Sequence, residues 1–197
     1  MNKEKFLNQY LFKNLNLDNK LDNINNTLHT KHKILNNAAV LIPIVKRQRG
    51  LTIILTERAL HLRHHPGQIS FPGGKYEQHD NNLMNTALRE TQEEIGILET
   101  EITIIGKLTP ITTNSGFLVT PFIAFIEEEH TIKIDEQEVR RILEVPVNFL
   151  LDEHNFYLHT LIANKHRRVT YCIPYKNNFI WGATAQILKN LQLQLMC

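Results

Sequence analysis

Glu90, Glu93 and Glu94 follow closely on the glycine pair Gly73–Gly74. At spacings of i, i+3 and i+4, the three carboxylates share one face if the segment is helical. Residues 82–95 read as that helix. Leu83, Ala87, Leu88 and Ile95 supply a side for burial. Asn81 or Asn82 can cap its start, and Gly96 stands where a helix C-terminus favours glycine. Three clustered carboxylates repel one another unless something positive lies between them. A hard divalent cation such as Mg²⁺ suits oxygen ligands, which points to metal-assisted chemistry on a phosphate or pyrophosphate. The ordinary alternative is a solvated acidic helix face. Two features weigh against it. Arg89 precedes Glu93 by four residues, the order that stabilises a helix less well, so its better use is to orient a carboxylate. The glycine pair also lets backbone come close to a ligand or metal.

The stretch from Gly73 to Ile97 resembles the Nudix box, the signature of hydrolases of nucleoside diphosphates linked to another group. Its second half fits well: Arg89, Glu90, Thr91, Gln92, Glu93, Glu94, Ile95, Gly96, Ile97, with Thr91 in an apolar slot. The first half departs. The gap after Gly74 ends at Asp80 rather than Glu, and eight residues rather than seven precede Arg89. Upstream, residues 54–74 read ILTERALHLRHHPGQISFPGG. This is similar to the extra motif of the coenzyme A pyrophosphatase-like branch, and both departures also resemble that branch. Further resemblance lies in Leu118–Phe125, Glu138–Phe149 and Ile180–Leu188. The match covers about residues 38–190. It implies an α/β/α sandwich with a mixed β-sheet, Mg²⁺ or Mn²⁺ as cofactor, and a coenzyme A-like nucleotide as substrate. The expected products are 3′,5′-ADP and 4′-phosphopantetheine, or its acyl form.

The residues agree with this in kind. Coenzyme A carries a pyrophosphate and a 3′-phosphate, so its site needs positive charge. Arg58, Arg63, His65 and Lys75 are the candidates for substrate binding, and Arg suits phosphate because its planar fork bonds two oxygens. His61, His64 and His65 show no metal-ligand spacing. Glu90 and Glu94, one turn apart, are the leading metal ligands. Glu93 is either a third ligand or the carboxylate held by Arg89, and Gly74 can offer its carbonyl or backbone. A general base is still required. Glu136, Glu138 and Glu144 are available; Glu138 matches the branch best, and Glu93 is the candidate within the box. Trp181, the only tryptophan, reads as a packing residue; Phe179 and Tyr175 are weaker candidates for stacking on adenine. Two competing functions remain. One is the same chemistry on ADP-ribose, a dinucleotide or a nucleoside triphosphate. The other is a non-catalytic Nudix-fold binding module, which could dispense with these carboxylates.

The rest of the chain must position these groups. Its 197 residues suffice for one sizeable core, and a net charge of +2 leaves no nucleic-acid-binding footprint. No apolar run spans a bilayer, and the start lacks the apolar core of a signal peptide, so no membrane partner and a cytoplasmic location are expected. Cys172 and Cys197 form no disulfide framework, which fits a reducing compartment. Residues 1–37 read as an N-terminal helix with an irregular lead-in, and 38–197 as the Nudix hydrolase domain. Phe6, Leu7, Tyr10 and Leu11 form an amphipathic stripe that suits packing on the protein's own body or on a second copy in a homodimer. Ala38–Val45 and Leu51–Thr56 read as a hairpin. Strands are also expected near Ile102–Leu108, Val119–Ile126 and Thr131–Ile134. A second hairpin pairs Phe156–Ile162 with Arg168–Ile173 across Asn164–Lys165. Ala183–Leu195 reads as a closing amphipathic helix.

Overall fold

The computed structural model describes residues 1–21, 35–163 and 166–196. The strand β1 (Asn36–Arg47) lies at the centre of the large sheet. It turns through two residues into β2 (Gly50–Arg58), antiparallel, with Arg47 opposite Gly50. It also pairs with β4 (Gly73–Lys75), again antiparallel. On its other side it runs parallel to β7 (Phe117–Ile126), Asn36 facing Phe117 and Val45 facing Ile126. The sheet is completed by β3 (Ile69–Ser70), β5 (Ile102–Lys107), β6 (Ile111–Thr112) and β8 (Val139–Pro146). The order β3-β2-β1-β7-β5 forms the main path, with β4, β6 and β8 attached to β1, β7 and β2.

A strand covered on both faces reads as a continuous apolar run, and β1 is one. Ala39, Leu41 and Val45 meet Ala87 and Ile95 of the helix α2 (Leu83–Ile95) on one face. Ala38, Ile42 and Ile44 join the opposite cluster, which includes Phe6 and Tyr10 of α1 (Lys3–Leu21) and Ile187, Leu188 and Leu191 of α4 (Gly182–Leu195). The result is an α/β/α sandwich around a mixed sheet. A short helix α3 (Val147–Leu151) follows β8. A second sheet orders β11-β10-β9, from β9 (Tyr157–Ala163), β10 (His166–Tyr175) and β11 (Asn178–Trp181), all antiparallel. Its inner face buries Ile173, Tyr175 and Ile180. Among the described residues no helix is long and apolar enough to cross a membrane.

Three details differ from the sequence reading. The first helix runs on to Leu21, and β1 begins at Asn36, both inside the stretch read as an irregular lead-in. The backbone of Asn36 and Asn37 is drawn into the sheet by β7, a partner that local sequence does not reveal. Residues 22–34, and Asn164–Lys165 where the second hairpin is expected to turn, lie outside the described residues. Thr131–Ile134 is not a strand. Lys133 and Asp135 donate their N–H groups to the carbonyls of Ile95 and Glu94, at 2.9 and 3.0 Å. The last carbonyls of α2 lack intrahelical partners, and this segment supplies them. Of the α1 stripe, Phe6, Leu7 and Tyr10 pack on the protein's own body while Leu11 stays exposed: Phe6 meets Phe125 edge-on at 5.7 Å between ring centres, and Tyr10 Oη donates to the Lys107 carbonyl.

Gly96 closes α2 in the left-handed region, φ 74°, and donates to the Gln92 carbonyl at 2.9 Å. A Cβ there would also stand 2.9 Å from the Lys133 carbonyl oxygen, which is backbone and cannot swing aside. Gly96→Ala should therefore lose more than the ~1–2 kcal/mol of left-handed strain. Its thermal midpoint should fall by at least about 2–8 °C. Differential scanning calorimetry against wild type measures it, and an unchanged midpoint would contradict this account of the helix end.

Candidate active site

The carboxylate helix starts cleanly because Asn82 Oδ1 accepts the Asn85 N–H at 3.0 Å. Thr91 fits its apolar slot by donating Oγ1 to the Ala87 carbonyl at 2.6 Å, so no polar atom is stranded. With both ends fixed, Glu90 and Glu94 project against β4. The Glu90 carboxylate occupies the space that a Cβ on residue 74 would fill, so only glycine admits it there. Glu94 is 3% exposed and accepts the backbone N–H of Gly73. Its Oε2 has no hydrogen-bond partner among the described residues.

Burial, followed by the Glu90 charge, pushes the Glu94 carboxyl up to about 8, against the pull of Arg58 and the Gly73 N–H. Burial also raises Glu90, opposed by Arg89 and reinforced by Glu93 and Glu138. The charge of Glu138 acts on both groups, so the loop before β8 lies beside the helix. Asp135 binds the Glu94 carbonyl, and Glu138 offers its own carbonyl to the Ala59 N–H at 2.8 Å.

Arg89 is fully engaged. Its Nε and Nη2 donate to the two oxygens of Asp80, at 2.9 and 3.1 Å. Nη1 reaches Glu93 at 2.8 Å and Glu90 at 3.0 Å, and Nη2 also reaches the Lys75 carbonyl at 3.3 Å. Asp80 is buried and also accepts from Thr86 Oγ1 and the Glu77 N–H. The hydrogen bonds from Arg89 hold its carboxyl far below the usual range. Glu93 is 60% exposed in its side chain, turned to Arg89 rather than buried with Glu94.

Arg58 and His65 line one cleft of about 320 Å³ together with Gly73, Gln68 and Trp181. Its floor continues into the N-terminal turn of α4. Arg63 is exposed on the 59–67 loop and Lys75 is exposed on β4, and neither lines this cleft. The expected packing role of Trp181 is corrected: the ring is 40% exposed, because β11 turns it to the outer face of the small sheet. Tyr175 is buried against Phe149, which removes it as a stacking surface. Two residues escaped the sequence reading. Asp80 is the anchor of Arg89; its place in the box was visible, but its burial was not. Glu57 is a buried carboxylate holding Arg140 and Arg141 at 2.6 and 2.5 Å, a cross-strand pairing that no local pattern announces.

Among the described residues, no three His, Cys, Asp or Glu side chains stand in ready chelating geometry. The pair Glu90 and Glu94 nonetheless fits a hard divalent cation. Both are oxygen donors, both are desolvated, and one oxygen of Glu94 is orphaned.

A helix presenting buried carboxylates to a glycine strand, on a mixed sheet sandwiched by helices, defines a Nudix-type hydrolase domain. The chain belongs to the Nudix family: the NUDIX domain profile matches residues 35–169. It is 39% identical over 159 residues to the Nudix hydrolase NudL of Yersinia enterocolitica, covering 81% of each chain. To NudL of Yersinia pestis it is 38% identical over 177 residues, covering 88% of this chain and 87% of the relative. Among solved structures, a C. elegans Ap4A hydrolase matches with a TM-score of 0.49 at 18% identity, covering 56% of this chain and 80% of that one. The NUDIX domain of Shewanella oneidensis NrtR, crystallised with ADP ribose, gives 0.47 at 16% identity, covering 67% and 86%. Nudix hydrolases act on the pyrophosphate of nucleotide-like substrates and generally use divalent ions such as Mg²⁺ or Mn²⁺.

The raised Glu94 carboxyl has a consequence for stability. Between its unfolded pKa of about 4.5 and its folded value of about 8, the folded state binds a proton that the unfolded state has lost. Stability of the metal-free protein therefore falls as pH rises through that window. Glu94→Gln removes this slope, so the variant should be the more stable form at pH 8.5 in EDTA and nearly level with wild type at pH 5. Mg²⁺ should raise the wild-type midpoint more at pH 8.5 than at pH 6. Thermal melts at the two pH values, with and without Mg²⁺, check both statements. Equal slopes for variant and wild type would reject the raised carboxyl.

Proposed function

We propose that this protein hydrolyses the pyrophosphate bond of coenzyme A or its derivatives, giving 3′,5′-ADP and 4′-phosphopantetheine. The observation that carries this reading is the cleft holding Arg58 and His65. Both belong to the 54–74 segment that resembles the coenzyme A branch, and the cleft reaches Gly73, whose N–H binds Glu94. A guanidinium and an imidazole beside desolvated carboxylates suit a substrate with a pyrophosphate and a further phosphate.

Glu90 and Glu94 would hold the divalent cation, with the Gly74 backbone close by. That cation, when bound, neutralises pyrophosphate charge and makes a coordinated water more acidic. Arg89 is a positioning residue: anchored on Asp80, it fixes Glu90 and Glu93. Glu138 takes the proton of the attacking water, whose oxygen forms the new bond to phosphorus as the bridging P–O bond breaks. Arg58 and His65 bind substrate phosphate; Arg63 and Lys75, which do not line this cleft, take no part in it.

Glu90→Gln and Glu94→Gln should each lower kcat by about 10²-fold or more while circular dichroism stays native. Glu138→Gln should lower kcat strongly and leave directly measured substrate affinity nearly unchanged. Near-wild-type turnover at saturating Mg²⁺ in both helix variants would sink the metal assignment. If Glu138→Gln is silent, Glu93 becomes the base to test.

Substrate identity is decided by a panel of coenzyme A, ADP-ribose, NADH and 8-oxo-dGTP, with product masses. Coenzyme A should give the highest kcat/KM and the masses named above. Arg58→Ala should then weaken coenzyme A by about 1.5–3 kcal/mol in transition-state binding. Its effect on dephospho-coenzyme A should be smaller. Equal losses on both would assign Arg58 to the pyrophosphate instead of the 3′-phosphate.

A further inference from the structure

Glu57 is a buried carboxylate with no part in the chemistry described above. It holds two successive residues of β8: Oε1 accepts from Arg140 Nη1 at 2.6 Å, and Oε2 accepts from Arg141 Nε at 2.5 Å. A regular strand sends successive side chains to opposite faces. Here the alternation is broken by a β-bulge. Glu57 lies opposite Arg141 but Arg58 lies opposite Val139, so Arg140 is the extra residue on β8. Each oxygen of one carboxylate takes one arginine, and the set is complete only in the bulged register.

The segment just before the bulge carries Glu138. Its carbonyl accepts the Ala59 N–H at 2.8 Å, and the Glu138 and Val139 N–H groups both donate to the Asp135 carbonyl, at 3.0 and 2.8 Å. The Asp135 N–H is in turn bound to the Glu94 carbonyl at 3.0 Å. Val139 is buried, and the charge of Glu138 acts on Glu90 and Glu94. Without the bulge, every residue before Arg141 would slip one place along β2. A slip of one place moves a side chain by about 3.3 Å and turns it to the other face. Val139 would leave the core, Arg140 would stand opposite Arg58 as a like charge, and Glu138 would lose its aim. Stability alone is a weak reason for such a cluster. Exchanging a buried ion pair for apolar residues is often neutral or stabilising, and the best-attested use of one is to fix register.

We propose that Glu57 is a positioning residue for the hydrolysis: through Arg140 and Arg141 it locks the bulge in β8, and the bulge holds Glu138 toward Glu90 and Glu94. This rests on Glu138 as the base in the proposed function and deepens that reading. The lock acts on the base and not on phosphate binding, so its loss lowers kcat and spares KM. Arg140 uses a single nitrogen, so a lysine can replace it.

The test compares Glu57→Gln, Arg140→Gln and Arg140→Lys, each alone and with Glu138→Gln. Arg140 is half-exposed, so Arg140→Gln tests the lock even if Glu57→Gln fails to fold. Both Gln variants should lower kcat by about 10- to 100-fold and leave KM nearly unchanged. Arg140→Lys should restore most of the loss. In the Glu138→Gln background neither change should lower kcat further, because no carboxylate is left to aim. Amide exchange followed by NMR reads the bulge without reference to activity. The Ala59 N–H should lose protection in both Gln variants and keep it in Arg140→Lys. If Glu138→Gln is slow but the lock variants keep wild-type kcat and Ala59 protection, the inference is overturned and the proposed function stands. Losses that add to that of Glu138→Gln, or a raised KM at constant kcat, overturn it as well, the latter assigning Glu57 to the support of Arg58. If Glu138→Gln is silent while Ala59 protection is lost, the base assignment fails and the bulge lock survives.

Discussion

Two carboxylates that must stay close while losing most of their water dominate this structure. Burial raises both carboxyls, the Glu90 charge adds to the rise at Glu94, and Arg58 is the cation that opposes it there. Such an arrangement persists only where the backbone is held from several sides. The Asn82 and Gly96 caps fix the helix, the Gly73–Gly74 strand lies against the acids, and residues 133–135 take up the last helix carbonyls. Arg89 adds a clamp in which one guanidinium spans the loop, through Asp80, and the helix, through Glu90 and Glu93. The charge imbalance left at Glu94 is the physical reason the site suits a cation.

The cleft depends on a second charge arrangement, farther from the chemistry. Glu57 is buried next to Arg58 on β2 and is neutralised by Arg140 and Arg141 of β8. Arg141 also donates to Asn178 Oδ1 at 2.5 Å. The strand that carries Arg58 is thereby tied to the strand that carries Trp181. The two sheets are thus joined by a side-chain bridge between β8 and β11. Removing both arginines would leave the buried Glu57 carboxylate uncompensated.

What could be read from sequence was local. The helix limits, its two caps, the first hairpin and the closing helix all follow from spacing and from residues with strong backbone preferences. What could not be read was long-range. Thr131–Ile134 has the alternation of a strand, yet its hydrogen bonds go to a helix end. Trp181 looked like core, but strand register turned it outward. Asp80 was visible as a departure from the box pattern, and only three-dimensional packing showed that the shorter acid is the buried anchor of Arg89. Arg63 lies in the same motif run as Arg58 and Lys75 directly follows it, but neither lines the cleft, because loop and strand geometry separate neighbours in sequence.

The parallel pairing of β1 with β7 sets an order of events for the newborn chain. β1 and β2 can close as a hairpin soon after both emerge, and β4 and α2 arrive shortly afterwards. The parallel neighbour lies about eighty residues later in sequence, so at synthesis rates of roughly 5–20 residues per second it follows after some 4–16 s. For that interval the most apolar strand of the protein has one open edge. An open apolar edge of this kind is a template for pairing with a neighbouring chain on the same messenger until β7 arrives.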